Sequence, residues 1–192
     1  MTDTLPANCE LIEVHVGELK QLFNAMDAAP FRERDLDPRA EEFIVDWSRE
    51  VAAARPLALV VHLSRETVRP EDAAVLRQAV HEFFAERALS ERRRLKRLLR
   101  LGRTSLVIGL VFLGTAIVLG DLVAGLVGRH DYGDIVRESF LIGGWVALWR
   151  PLEIFLYDWW PIRAEAHLYD RLSGMQVRLV DAAPGLAEAG RS

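Results

Sequence analysis

The sequence predicts a mixed protein of the α+β or α/β class, in which a two-helix transmembrane hairpin is inserted into a small three-stranded α/β domain. Three observations predict this fold class. Residues 104–127 are almost entirely apolar, and a second apolar run begins at residue 135 after a short polar turn. A strongly basic segment, residues 92–103, directly precedes the first run. Apolar segments of strand length occur both before and after the two runs.

The first apolar run is long enough to cross a membrane. A helix over residues 104–127 spans about 36 Å, against about 30 Å for a hydrocarbon core. A soluble hairpin of this composition would be apolar on all sides, and too little chain remains to cover it. We therefore expect a cytoplasmic domain at residues 1–100 and a transmembrane hairpin at 101–162, which ends in a tryptophan-rich bend at the membrane surface, here called the elbow. Residues 163–192 are expected to add a helix and a strand to the cytoplasmic domain.

The charge distribution predicts the orientation. The chain has a net charge of −4, yet its basic segment contains only basic charges: Arg92, Arg93, Arg94, Lys96, Arg97, Arg100 and Arg103. A basic segment beside a span stays in the cytoplasm, and two spans return the chain to the same side. Both termini are therefore expected on the cytoplasmic side of a bacterial inner membrane. The same side chains are suited to anionic lipid headgroups. The acidic remainder argues against nucleic acid as a partner.

The N-terminal half predicts a strand followed by two helices. Glu10–Val16 alternates as a strand, and a helix is expected over the segment ELKQLFNAMD after Gly17, through Met26. Asp37-Pro38 is a typical helix start, an N-cap residue followed by proline. The apolar stripe of that helix is expected to contain Phe43, Ile44, Trp47 and Val51.

Further along the chain, two more strands and a long helix are expected. Leu57–Leu63 is nearly all apolar, which is typical of a strand covered on both faces. If this strand and the first strand are parallel neighbours, the connection between them is a right-handed crossover. Pro70 begins a helix that runs into the first span, with Gly102 as a candidate break. Arg163–Leu172 is expected as an amphipathic helix and Met175–Val180 as a third strand of the same sheet. The segment 182–192 is expected to be disordered.

Small residues recur every fourth position in both spans, which lets two helix backbones approach closely in lipid. We expect both ridges to face protein, either within the hairpin or in a homo-oligomer. The residues are Ala116, Gly120, Ala124 and Gly128 in the first span and Ser139, Gly143 and Ala147 in the second.

Charged residues in the apolar runs need partners, because a lone charge in lipid is costly. Asp121 and Arg137 lie at similar expected depths and are predicted to pair; an ion-carrying role for Asp121 is the alternative. Arg150 and Glu153 flank Pro151, where the helix should kink. They lie either at the interface or, if the span starts later, buried as a pair. In the first case the elbow is anchored by Trp149, Tyr157, Trp159 and Trp160, and Asp158 has no evident role.

Candidate chemistry is sparse. His15 and His62 lie near the ends of two predicted strands and could be cross-strand neighbours with Glu13, as the start of a metal or acid–base site. No metal-binding spacing motif accompanies them, so neither a metal nor a cofactor is predicted. Arg32 and Arg34 lie in an alternating-charge loop that could bind an anion.

Two stretches resemble a group of bacterial membrane proteins of unassigned function. They are VHVGELKQLFNAMDAAPFRERDLDPRAEEFIV and LIGGWVALWRPLEIFLYDWWPI. The resemblance implies that the α/β domain and the hairpin belong together. It implies no catalytic residues.

A non-enzymatic adaptor or assembly protein, held at the membrane and self-associating, is the function that the sequence favours. Two alternatives remain open. One is an enzyme for an anionic or lipid-linked substrate at the membrane surface, using His15, His62 and nearby acids together with Arg32 and Arg34. The other is a channel or transporter. It would have to be an oligomer, because two transmembrane helices are too few to enclose a pore.

Overall fold

The computed structural model describes residues 9–23, 35–52, 55–65, 68–127 and 132–181. The chain divides into two compact units. Met1–Ser90 and Glu165–Ser192 form the first, here called the sheet unit, and Glu91–Ala164 form the second, the helix-pair unit. The predicted disordered segment 182–192, together with Met26, Arg32, Arg34 and Gly128, lies outside the described residues.

The sheet has three strands, as the sequence predicts, and the structure shows that all three are parallel. β1 is Glu10–Val16, β2 is Leu57–Leu63 and β3 is Gln176–Asp181. The strand order is β1-β2-β3, so the strand that follows the long helices pairs with β2. Its central position explains the apolar sequence of β2, because both of its edges and most of its side chains are buried.

The two faces of the sheet differ. The register aligns Ile12 with Leu59 and Leu59 with Val177, and these residues join the buried side chains of the helices in one hydrophobic cluster. The opposite face carries more polar and exposed residues, among them Glu13 and His15 on β1. Strand alternation therefore separates a core face from a polar face.

Helix α1, Pro38–Glu50, begins as predicted. The side chain of Asp37 accepts a hydrogen bond from the backbone N–H of Arg39 at 3.0 Å, and proline occupies the first turn. The predicted apolar stripe is wrong in part, because Phe43 and Trp47 are 44% and 42% exposed. The residues that α1 buries are Ile44, Val45 and Ser48. Ser48 can enter the core because its hydroxyl donates to the carbonyl of Ile44.

The helix predicted after Gly17 is also wrong within the described residues. A 3-10 helix covers only Leu19–Leu22, and Phe23 then adopts an extended conformation. Phe23 forms an antiparallel bridge with Leu36. The side chain of Gln21 accepts from the backbone N–H of Gly17 at 2.8 Å, which closes the turn. Leu19, Leu22 and Phe23 are all buried. The extended conformation of Phe23 allows its side chain to reach the core.

Helix α2 is continuous over Pro70–Val127 and shows no break at Gly102. It is followed by α3, Tyr132–Ala147; α4, Trp149–Glu153; a π-helical segment, Ile154–Asp158; and α5, Trp159–Ser173. Two helices of the described chain are long and apolar enough to cross a membrane, within Glu71–Leu126 and Gly133–Ser173.

The helical path is interrupted at Leu148, three residues before Pro151. Proline lacks a backbone N–H and its ring crowds the carbonyl four residues earlier, which here belongs to Ala147. The sequence predicts a kink at Pro151. The interruption lies about one turn earlier, because the Ala147 carbonyl is the group that loses its backbone hydrogen-bond donor. The helix resumes as α4, where the N–H of Leu152 donates to the carbonyl of Leu148 at 3.2 Å.

Candidate functional site

Within the helix-pair unit, α2 packs antiparallel against α3 and the segment that follows it. Gly102 lies against Ile154 and Phe155, and Gly109 lies against Ala147 and Leu148. Further along α2, Gly120 lies against Arg137 and Phe140. As the residue number rises on α2 it falls on the partner, which defines the antiparallel pairing. Glycine allows this approach, since a Cβ at Gly109 would lie 2.8 Å from a Leu148 methyl carbon.

The contact residues on α3 differ from the predicted ridge. A Cβ added at Gly144 would lie 2.7 Å from Leu113 Cδ1, 3.2 Å from Leu113 Cα and 3.3 Å from Ala116 Cβ. A Cβ added at Gly143 meets no atom of the described chain within 4 Å. Gly144, which lies outside the four-residue pattern, therefore forms the close contact. On α2 the predicted ridge does contribute, with Ala116 and Gly120 buried.

The other members of the predicted ridges have mixed positions. Ala124 and Ala147 are half-buried, whereas Ser139 and Gly143 are exposed. The Ser139 hydroxyl donates to the carbonyl of Ile135 at 2.8 Å and so is satisfied within its own helix. Ser139 and Gly143 leave a narrow strip of small residues on the outer surface of α3.

Asp121 and Arg137 are brought together across the helix pair. Arg137 Nε lies 2.9 Å from Asp121 Oδ1. A cavity of about 410 Å³ adjoins the pair, lined by Ile117, Asp134, Arg137, Glu138 and Leu141. Each charge neutralises the other, which is the arrangement an apolar environment requires.

Arg150, Glu153 and Asp158 form a second charged group. Arg150 Nη1 lies 2.8 Å from Glu153 Oε2 and 3.7 Å from Asp158 Oδ2. Asp158, which the sequence leaves without a role, is thus placed beside an arginine. The π-helical segment, which begins directly after Glu153, ends at Asp158. The aromatic residues predicted as interfacial anchors are close to these charged residues in the sequence. Trp149, Tyr157 and Trp160 are exposed, and Trp159 is half-buried.

The basic segment lies on α2, and all seven of its basic side chains are exposed. Arg94 and Arg97 line a groove of about 570 Å³ together with Tyr157, Asp158 and four apolar or proline side chains, Leu98, Leu101, Pro161 and Ile162. The groove thus combines guanidinium groups, which bind phosphate oxygens, with an apolar floor.

On the polar face of the sheet, the register places His15 of β1 directly opposite His62 of β2. Their rings stack, with centroids 4.5 Å apart and an interplanar angle of 9°. Glu13 lies two residues before His15 and so on the same face. One ligand atom from each of Glu13, His15 and His62 lies within 4.8 Å of the other two.

Hydrogen bonding leaves one atom of this cluster unsatisfied. His62 Nε2 is buried and has no hydrogen-bond partner among the described residues. By contrast, His81 Nε2 lies 2.7 Å from the carbonyl oxygen of Met175 and connects α2 to the residue before β3. His81 therefore has a structural role, and the unsatisfied nitrogen distinguishes His62 from it.

Ion pairs between helices account for other charged residues of the sheet unit. Arg87 lies 2.8 Å from Glu41, and Arg49 lies 3.1 Å from Glu165. Burial raises the pKa of Tyr169 on α5 above its ordinary value, and the carboxylates of Glu41 and Glu165 raise it further. These groups hold α1, α2 and α5 together and are explained by packing.

Comparisons with known proteins provide no functional relative. No protein-family model, no curated protein and no solved structure matches the chain. Function must therefore be inferred from the arrangement of residues within the two units.

Proposed function

We propose that this chain is an integral membrane protein of the bacterial inner membrane, in which the helix pair is a transmembrane hairpin that anchors a cytoplasmic adaptor or assembly domain. One observation carries the proposal. In each long helix, only 17% of the most apolar 18-residue stretch is buried within the chain. The core helix of a soluble protein buries its apolar side chains, so the low burial of these two helices supports contact with lipid.

The side chains that point outward support the same proposal. On α2, Val107, Ile108, Val111 and Leu122 are each about three-fifths exposed. On α3, the outward side chains include Ile142 and Val146. Contiguous exposed apolar side chains of this kind mark membrane or protein contact surfaces, which supports the proposed hairpin.

Charge and topology together support the proposed orientation. The basic segment precedes the first span, which favours the cytoplasmic side for that end. β1 and β2 precede the helix pair in the chain, β3 follows it, and all three belong to one sheet. Two crossings return the chain to the side on which it started, as one continuous sheet requires. The groove at Arg94 and Arg97 is suited to an anionic lipid headgroup on that side.

The adaptor role is supported by an apolar pair on the surface of the sheet unit. Phe43 and Trp47 lie one turn apart on α1, with ring centroids 6.0 Å apart. Both are more than two-fifths exposed. Aromatic side chains are enriched at the centres of protein–protein interfaces, which makes this pair the proposed contact for a protein partner.

Self-association of the hairpin is supported by the strip of Ser139 and Gly143. Because Gly144 forms the intramolecular contact, the adjacent face of α3 is open to a second copy. Close packing of small residues is a common basis of helix association in lipid.

Fractionation and reporter fusions test the membrane proposal. We expect the full chain to remain in the membrane pellet after carbonate extraction and to require detergent for purification. Green fluorescent protein fused after Ser192 should fluoresce, and alkaline phosphatase inserted between Val127 and Tyr132 should be active, because only the turn lies outside the cytoplasm. A monomer that is soluble without detergent, or an active phosphatase fused after Ser192, would contradict the proposal.

Substitution of the exposed aromatic pair tests the adaptor role. The double variant Phe43→Ala/Trp47→Ala is expected to reduce recovery of the cross-linked partner from native membranes at least about tenfold, the loss expected when interface anchors are truncated. Glu42→Ala, which removes an exposed side chain from the same helix, is the matched control and should not change recovery. Unchanged recovery with the double variant would exclude this surface as the partner contact.

A further inference from the structure

We infer that Glu13, His15 and His62 form a binding site for a divalent first-row transition-metal ion, Zn²⁺, on the polar face of the parallel sheet. The inference goes beyond membrane anchoring and does not depend on it. It concerns residues of the sheet unit alone.

The strands bring the three ligand groups together. Parallel pairing sets His15 opposite His62, and the two-residue repeat of β1 places Glu13 beside them. The ligand atoms lie within 4.8 Å of one another. Nitrogen and oxygen ligands of a tetrahedral Zn²⁺ are separated by about 3.4 Å, given bond lengths near 2.0–2.2 Å. The observed separations reach 4.8 Å, so binding requires side-chain rotation that turns the two stacked rings towards a common point.

The unsatisfied nitrogen of His62 points to a missing partner. A buried polar atom ordinarily has a hydrogen-bond partner, because burial without one costs stability. His62 Nε2 has none among the described residues, although His15 stacks against its ring. A metal ion bound at Nε2 would provide the missing partner, since a neutral imidazole nitrogen is a metal ligand. Stacking alone explains the contact of the rings but leaves the nitrogen unsatisfied.

The donor set selects the class of ion. Two imidazole nitrogens and one carboxylate oxygen suit Zn²⁺ and its first-row neighbours, whereas Mg²⁺ and Ca²⁺ prefer sites made of oxygen. Three protein ligands leave a fourth position for water. The register places Arg178 on this face, opposite Val60, so that its backbone lies two strands, about 9–10 Å, from that of Glu13.

The position in the fold agrees with ligand binding. His15 and His62 are each the next-to-last residue of their strands. Ligands of open parallel sheets bind outside the carboxyl ends of the strands. Adjacent strands also hold the two histidines rigidly relative to each other, which favours binding because little conformational freedom is lost.

Metal titration of the full chain tests the inference. The chain is purified in mild detergent with a tag that contains no histidine, treated with a chelator, and titrated with Zn²⁺ by calorimetry. Co²⁺ serves as a spectroscopic probe of the ligand geometry. We expect one Zn²⁺ per chain, and a rise in the unfolding temperature with Zn²⁺ concentration because only the folded state presents the site.

Variants identify the ligands. His15→Ala and His62→Gln should each weaken Zn²⁺ binding by more than about 100-fold, beyond the 10–100-fold typical of outer-shell partners, and should remove the Co²⁺ absorption bands. Glu13→Gln should weaken binding and change the Co²⁺ spectrum. The matched controls are His167→Ala and Glu42→Gln, both at exposed helical positions, and these should bind as the wild type does.

Two results would overturn the inference: no Zn²⁺ binding at micromolar concentration by the wild-type chain, or equal binding by the folded His15→Ala/His62→Gln variant. Circular dichroism of each variant establishes that it is folded. Neither result would bear on membrane extraction or on the reporter fusions, so failure of the metal site is distinguishable from failure of the membrane proposal.

Discussion

Replacing Arg137 with leucine is expected to destabilise the helix pair by about 2–3 kcal/mol, because in the proposed membrane environment the charge of Asp121 then has no partner. In the wild-type chain the two side chains lie 2.9 Å apart. The free energy of unfolding of the helix-pair unit, measured in bicelles by titration with a denaturing detergent, is the quantity to compare.

A double variant separates loss of pairing from loss of packing. Asp121→Leu/Arg137→Leu removes both charges, and it should recover most of the stability lost in Arg137→Leu, because replacing a pair by apolar residues is often neutral. Arg137→Lys is the conservative control and should retain most of the wild-type stability. If Arg137→Leu were as stable as the wild type, Asp121 would be in contact with water and the depth proposed for the hairpin would be wrong.

Gly144→Leu is expected to destabilise the helix pair by about 1–3 kcal/mol, the usual cost of overpacking, whereas Gly143→Leu should leave it nearly unchanged. The Cβ of a residue at position 144 would lie 3.2 Å from the backbone Cα of Leu113, which cannot move without displacing α2. The thermal midpoint in detergent measures the difference. The two variants make the same chemical change one residue apart, so each is the control of the other.

The same pair of variants also reports on self-association. Gly143→Leu should reduce the oligomer measured by cross-linking in membranes while the monomer keeps its stability, since the strip of Ser139 and Gly143 is exposed. An unchanged oligomer in Gly143→Leu would place the interface elsewhere. Equal thermal midpoints for the two variants would contradict the close contact of Gly144 with Leu113.

Local sequence patterns predict the elements well where one pattern has one explanation. The three strands, the N-cap at Asp37 and the long apolar helices follow from alternation, capping chemistry and hydropathy. The buried face of α1 cannot be predicted from these patterns, because apolar residues occur on two faces of that helix. The core selects Ile44 and Val45, and the larger Phe43 and Trp47 remain outside.

Register and helix rotation lie beyond local patterns. Alternation places Glu13 and His15 on one face of β1, but the alignment of His15 with His62 depends on how two distant segments pair. Similarly, the four-residue repeat of small residues on α3 identifies Gly143, whereas Gly144 makes the contact. One residue corresponds to about 100° of rotation on a helix, which hydropathy cannot distinguish when every neighbour is apolar.

The order of the strands along the chain has a consequence for biosynthesis. β2 is the middle strand, yet one of its two neighbours, β3, is translated only after the whole helix pair has been synthesised. Until then the β2 edge at Ala58–Leu63 lacks the hydrogen-bonding partner that β3 provides, and an unpaired apolar strand edge is prone to aggregate. Completion of the sheet must therefore wait for synthesis of both long helices, and a chain that terminates before Gln176 would expose that edge permanently.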